Sequence, residues 1–149
     1  MESIENGSYE NQFDARSPNK KYYSSNEIFS ILDDLVKILR FAAYTNIYHS
    51  DLKPANLLIK SDGRPKIADF GESFRMSAGA GRSKLKGTPA FLSYNIRSAW
   101  NVAQTSGQAP DFDHDPEKSD VMSLAITIID MCLLRIVNGL NDEDSYIEI

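Results

Sequence analysis

The stretch from His49 to Gly71, H-S-D-L-K-P-A-N-L-L-I-K-S-D-G-R-P-K-I-A-D-F-G, constrains the fold more than any other part of this chain. Two polar clusters, Asp51 with Lys53 and Asn56, and Asp69 with Phe70 and Gly71, each adjoin a short apolar run. Between them Leu57-Leu58-Ile59 and Lys66-Ile67-Ala68 flank Ser61-Asp62-Gly63-Arg64-Pro65, and Asp-Gly between apolar runs is a strong local signal for a β-hairpin. A hairpin folds the chain back, so Asn56, just before its first strand, is expected close to Asp69, just after its second. Two oxygen-bearing side chains facing one spot suit Mg²⁺, which takes carboxylate and carbonyl oxygens and keeps waters that phosphate can replace. Asp51, one tight loop upstream, can reach the same spot as a base.

At 149 residues the chain is one domain's worth, and its net charge of −5 argues against a nucleic-acid binder, which would usually be basic. A single cysteine, Cys132, excludes an internal disulfide and a cysteine-rich zinc site; its apolar neighbours predict a buried thiol. Met1 to Glu10 is polar and acidic, unlike a signal peptide, so an intracellular, cytoplasmic location is the expectation. Val121 to Val137 is strongly apolar, but Asp130 and Arg135 interrupt it and it falls short of the roughly 20 residues a bilayer needs. A helix apolar all round is expected to be buried in the core, so no membrane partner is implied.

Along the chain, Met1 to Tyr23 lacks an apolar period and reads as a flexible arm. Ser24 to Tyr44 reads as a helix: Ser24 and Glu27 fit a capping box, and Ile28, Ile31, Leu32, Leu35, Ile38, Leu39 and Ala42 form one apolar stripe. From Leu57 to Leu92 seven Lys/Arg stand against three acids, a surplus of four positive charges that suggests steering of ATP or an acidic substrate. Gly79-Ala80-Gly81 lacks the spacing of a phosphate-binding loop, and His114 between Asp113 and Asp115 reads as an exposed acidic turn rather than a metal site. Ile96 to Asp115 reads as a helical turn and a loop. Ser119 and Asp120 suit a helix start, and the chain closes on an acidic tail, residues 141–149.

His49, Asp51 and Asn56 match H-x-D-x-x-x-x-N, and with Lys53-Pro54 and Asp69-Phe70-Gly71 they resemble the catalytic and magnesium-binding loops of eukaryotic protein kinases of the serine/threonine type. Gly87-Thr88-Pro89 resembles the segment that receives the substrate chain, and Lys118-Ser119-Asp120-Val121 the start of the family's central helix. The resemblance runs from about Ser24 to Gly139, and nothing upstream matches the glycine-rich loop or the Val-Ala-Ile-Lys strand. It implies a mainly α fold with a small β-hairpin (α+β): a fragment of a kinase large, C-terminal lobe (residues 24–140) around a central buried helix, lacking the N-lobe. Leu58, on the floor of the adenine pocket, would then lie open, and so would the partners of Phe70.

The activity so implied is ATP-dependent phosphoryl transfer to serine or threonine of a protein substrate. In family terms Asp51 orients the substrate hydroxyl and accepts its proton, while Lys53 neutralises charge on the transferring phosphoryl group. Asn56 and Asp69 hold Mg²⁺, and Lys53, Asn56, Leu58 and Asp69 together meet Mg²⁺-ATP. Thr88 bonds the catalytic Asp and Lys, His49 packs against Phe70 beside Gly71, and Asp120 anchors the catalytic-loop backbone. Partners implied are the protein substrate and an N-lobe or partner protein over the nucleotide face. Ser50 replaces the family Arg, so phosphorylation of Ser77 or Ser83 is not expected to switch activity strongly. Two alternatives are a catalytically inactive, pseudokinase-like binding module and a small-molecule phosphotransferase of the aminoglycoside or choline type. Lys53-Pro54, Gly87-Thr88-Pro89 and the Lys-Ser-Asp-Val helix argue against the second.

Overall fold

Ser24 starts the longest helix, α2 (Ser25–Tyr44), through the capping box its sequence predicts: Ser24 Oγ accepts from Glu27 N–H, and the Glu27 carboxylate accepts from Ser24 N–H at 2.7 Å. Ile31 and Leu35 of the apolar stripe are buried, and Ile28, Leu32, Ile38 and Leu39 pack against them. The computed structural model describes residues 7–76, 87–107 and 114–140. Ser77, Ser83, Gly79-Ala80-Gly81, Asp113 and the acidic tail 141–149 lie outside the described residues.

After α2 come β1 (Ile47–Tyr48), β2 (Leu57–Ile59), β3 (Pro65–Ile67) and β4 (Phe74–Arg75). They form two small antiparallel pairs, β1 with β4 and β2 with β3. The predicted hairpin is β2–β3, with Leu57 opposite Ile67, Leu58 opposite Lys66 and Ile59 opposite Pro65. Pro65 opens its strand, where a missing N–H is tolerated. Arg64 in the turn reaches back to α2, its guanidinium forked onto Asp34 at 3.0 and 2.8 Å. Helices α3 (Tyr94–Ser106) and α4 (Pro116–Leu133) complete the described elements, so Ile96 onward is a full helix rather than a turn. The architecture is mainly helical with small β-pairs, in line with the α+β expectation.

Three expectations change. Residues 1–23 are not a flexible arm throughout: Tyr9–Arg16 forms a further helix, α1, capped reciprocally by Ser8 and Asn11. Tyr9 and Phe13, one helical turn apart, are 1% and 5% exposed and belong to the same core as Leu35, Leu57 and Met131. Replacing Ser8 by alanine is expected to lower unfolding free energy by about 1 kcal/mol in a denaturant titration, the usual worth of an N-cap. A free arm would give no change.

The same segment touches the hairpin. Ile59 N–H donates to Gly7 C=O at 3.0 Å and Ser8 bridges Leu58, so Leu58 is half-buried instead of open. Phe70, by contrast, is half-exposed, while its ring partner His49 is buried.

The third change concerns α4, which is not buried all round. Asp120, Ser123, Leu124, Ile126, Thr127, Asp130 and Met131 face the core, while Val121, Ile129 and Leu133 are exposed. Cys132 lies on the exposed side, contrary to the buried thiol expected. With apolar residues on both sides, periodicity could not say which face turns inward. Among the described residues no helix is long and apolar enough to cross a membrane.

Asp130 is fully buried; its Oδ1 accepts from Val137 N–H at 2.9 Å and its Oδ2 has no partner. Burial pushes its carboxyl up from 3.8 to about 6, against the smaller opposing effect of the Val137 bond. The folded chain therefore takes up a proton in that window, and the stability associated with this group falls as pH rises through it. Asp130→Asn, which keeps the oxygen facing Val137, is expected to melt above wild type at pH 7, with the difference closing below about pH 4. A gap independent of pH would contradict this origin.

Candidate active site

Three segments converge, each held by the one behind it. The first is the loop from His49 to Asn56, between β1 and β2. Its backbone is fixed by α4: Asp120 accepts from His49 N–H at 2.7 Å and from Ser50 N–H at 2.8 Å. Asp120 is 5% exposed, and burial raises its carboxyl above the ordinary value, partly offset by these two backbone bonds. Ser50 takes a left-handed conformation, φ 66°.

His49 is buried and bonded on both nitrogens. Nδ1 accepts from Asp51 N–H at 3.3 Å and Nε2 meets the Ala68 carbonyl at 2.9 Å. An acceptor at Nδ1 and a carbonyl at Nε2 together select the neutral Nε2–H form. Its ring stands edge-on to Phe70 at 4.9 Å between centroids. The residue thus ties the first segment to the second.

The second segment follows the hairpin. Ala68 N–H donates to Asn56 C=O at 2.9 Å, so the chain returns beside Asn56 before Asp69 leaves the strand. Asp69 is exposed and left-handed, φ 57°, a conformation Asp tolerates better than most residues. Its Oδ1 accepts from Gly71 N–H at 3.3 Å.

The third segment begins at Gly87 and Thr88. Thr88 Oγ1 donates to Asp51 Oδ1 at 2.5 Å and accepts from Lys53 Nζ at 2.7 Å. Lys53 Nζ also lies 2.8 Å from Asp51 Oδ2. Asn56 Nδ2 donates to the Asp51 carbonyl at 2.8 Å and to Asp51 Oδ2 at 3.0 Å. One carboxylate, 8% exposed, therefore gathers an ammonium, a hydroxyl and an amide. Such a carboxylate is oriented and can accept a proton from a hydroxyl brought to it, while the ammonium beside it can offset negative charge. Both Asn56 bonds use Nδ2, so the amide oxygen is the atom available to a cation. Among the described residues no group of three or more His, Cys, Asp or Glu could hold a metal ion by itself.

Of the residues singled out from sequence, Asp51, Lys53, Asn56 and Thr88 meet directly; His49, Phe70 and Asp120 support them from behind. Leu58 and Asp69 flank this group without a direct hydrogen bond to Asp51 among the described contacts. Gly87 carries a role that motif matching missed. It has φ 104°, and a Cβ there would stand 2.3 Å from the Ser50 carbonyl oxygen and 2.9 Å from Leu92 Cδ2. Only glycine lets the third segment come this close to the first.

Comparison with known proteins specifies the class of protein to which this fold and set of contacts belong. The protein kinase domain family matches residues 1–147. Serine/threonine-protein kinase dst2 of Dictyostelium discoideum is 31% identical over 108 residues, covering 72% of this chain and 9% of that protein. Serine/threonine-protein kinase PEPKR2 of Arabidopsis thaliana is 32% identical over 76 residues, 51% of this chain and 16% of its own length. A protein kinase and PP2C-like domain-containing protein of Oryza sativa subsp. japonica is 36% identical over 114 residues, 70% of this chain and 17% of its own. The chain belongs to the eukaryotic protein kinase family. It spans 9–17% of the length of these three relatives. The family match also reaches residue 1, well upstream of Ser24, in keeping with a structured α1.

Proposed function

We propose that this chain carries the catalytic part of a serine/threonine protein kinase, transferring the γ-phosphoryl group of ATP to a hydroxyl of a protein substrate. What supports the reading is the convergence on Asp51: Lys53, Thr88 and Asn56 all bond it, from two segments some 35 residues apart in sequence. In this account the substrate oxygen forms a bond to the γ-phosphorus as the bond to the bridging oxygen breaks, and the hydroxyl proton passes to Asp51. Lys53 offsets charge on the phosphoryl group, and Thr88 holds Asp51 and Lys53 in register. Positioning and fixed charge then supply most of the rate.

The donor set fits Mg²⁺. Asn56 offers an amide oxygen and Asp69 an exposed carboxylate, and Mg²⁺ commonly binds through one or two protein oxygens together with phosphates. Asn56 and Asp69 would hold the ion, which when bound neutralises phosphate charge. Leu58 would meet the adenine, and an N-lobe or partner protein would cover the nucleotide face. We place the kinase region at residues 24–140, with α1 as part of the same folded unit.

A calorimetric titration with Mg²⁺-ATP tests this reading. Saturable binding that requires Mg²⁺ and is lost in Asp69→Ala is expected. Binding of a protein partner with no response to Mg²⁺-ATP would favour the pseudokinase-like module instead.

A further inference from the structure

Asp120 and Ser123 stand three residues apart on α4, hence on one face of the helix. Both are buried, 5% and 4% exposed. They grip different segments of the site. Asp120 takes the backbone N–H groups of His49 and Ser50, just before Asp51. Ser123 Oγ donates to the Phe91 carbonyl at 2.7 Å. Phe91 is itself 4% exposed, and its N–H donates to the Thr88 carbonyl at 2.9 Å, closing the 3-10 turn Pro89–Phe91. Thr88 then reaches across to Asp51 and Lys53.

From these contacts we infer that Ser123 is a positioning residue that sets the Thr88 hydroxyl against Asp51 and Lys53. One turn of α4 fixes the separation of two loops whose side chains must meet within hydrogen-bond distance. The Ser123 hydroxyl bonds outside its own helix, to Phe91, whereas Thr127 Oγ1 donates within α4 to the Ser123 carbonyl at 2.8 Å. Removing that hydroxyl deprives a buried carbonyl of its donor and lets the turn drift. A drift of about 1 Å takes the contact between Thr88 and Asp51 out of hydrogen-bond distance. The catalytic consequence rests on the phosphotransfer reading above; the positioning does not.

A double-mutant cycle on the 149-residue chain tests it, with Ser123→Ala, Thr88→Val and the pair. Two readouts are taken: the ¹³C shifts of the Asp51 carboxyl and the Lys53 Cε at fixed pH, and kcat with KM for Mg²⁺-ATP. In Ser123→Ala both shifts are expected to move toward their Thr88→Val values, with kcat falling about ten- to hundred-fold and KM within about two-fold. In the Thr88→Val background Ser123→Ala should change kcat less than about two-fold further, because it acts through Thr88. Equal losses in both backgrounds, or shifts that stay at wild-type values, would overturn the assignment. If wild type transfers no phosphate, the phosphotransfer reading fails and the two shifts alone decide the positioning. Should Ser123→Ala not fold, Ser123→Cys, of similar size and a weaker donor, is expected to give partial displacement; shifts identical to wild type there would overturn the assignment equally.

Discussion

Asp120→Ala is expected to unfold with about 2–5 kcal/mol less free energy than wild type, among the largest stability losses available from a single side chain outside the apolar core. The carboxylate is the acceptor for two backbone donors, His49 N–H, which is buried, and Ser50 N–H, which is partly buried. Stripping an acceptor from a buried donor costs about 1–3 kcal/mol each, or about 2–6 kcal/mol for the pair. Part of this is recovered, because the carboxylate is itself a desolvated charge: burial raises its pKa despite the two bonds. Asp120→Asn keeps one acceptor and sets an NH₂ group against the other amide, so it should also lose stability, though less. Denaturant unfolding measures both. A loss below about 1 kcal/mol for Asp120→Ala would mean that α4 does not hold the loop.

Asp51→Asn is expected to fold with some loss of stability, because its new NH₂ group meets Lys53 Nζ and Asn56 Nδ2, and to keep Mg²⁺-ATP affinity close to wild type while lowering the rate of phosphoryl transfer about 10²–10⁴-fold, the range for a positioned proton acceptor. The amide keeps one oxygen for Thr88 but cannot take a proton and no longer neutralises Lys53. The loss should therefore fall on kcat and kcat/KM together, as for an interaction made in the transition state. Steady-state kinetics with a serine-containing protein substrate checks it. A variant that keeps kcat but loses ATP affinity would move Asp51 from proton transfer to nucleotide binding.

Much of the site could be read from residue order because each local signal agreed with its neighbours. Asp62-Gly63 between two short apolar runs specifies a tight turn, and the observed register, Leu57 opposite Ile67, is that of a three-residue loop, Ser61 to Gly63, closed between Lys60 and Arg64 with Gly63 at φ 80°. Ser24 and Glu27 mark a helix start by a mechanism confined to four residues. His49, placed against Phe70 by the kinase resemblance, stands edge-on to that ring at 4.9 Å and bonds Asp51 N–H and Ala68 C=O.

The misses have a different character. Helix α1 presents only Tyr9 and Phe13 inward, too few to show a period, and its capping box uses Asn11 instead of Glu or Gln. Cys132 sits on a helix apolar on both sides, where pattern carries no direction. Ser50, Asp69 and Gly87 all adopt positive φ, a property of three loops pressed together that no single loop reveals. Ser123 was invisible for the same reason, since its partner Phe91 lies 32 residues away and across a second loop.

The central claim is that the residues gathered on Asp51 move a phosphoryl group from ATP to a protein hydroxyl. The most direct test incubates the chain with Mg²⁺, γ-labelled ATP and a protein rich in serine and threonine, beside Asp51→Asn. Label recovered as phosphoserine or phosphothreonine with wild type, and reduced at least about 10²-fold in the variant, is the predicted result. Equal labelling by the two proteins, or none by wild type under conditions where it binds Mg²⁺-ATP, would contradict it.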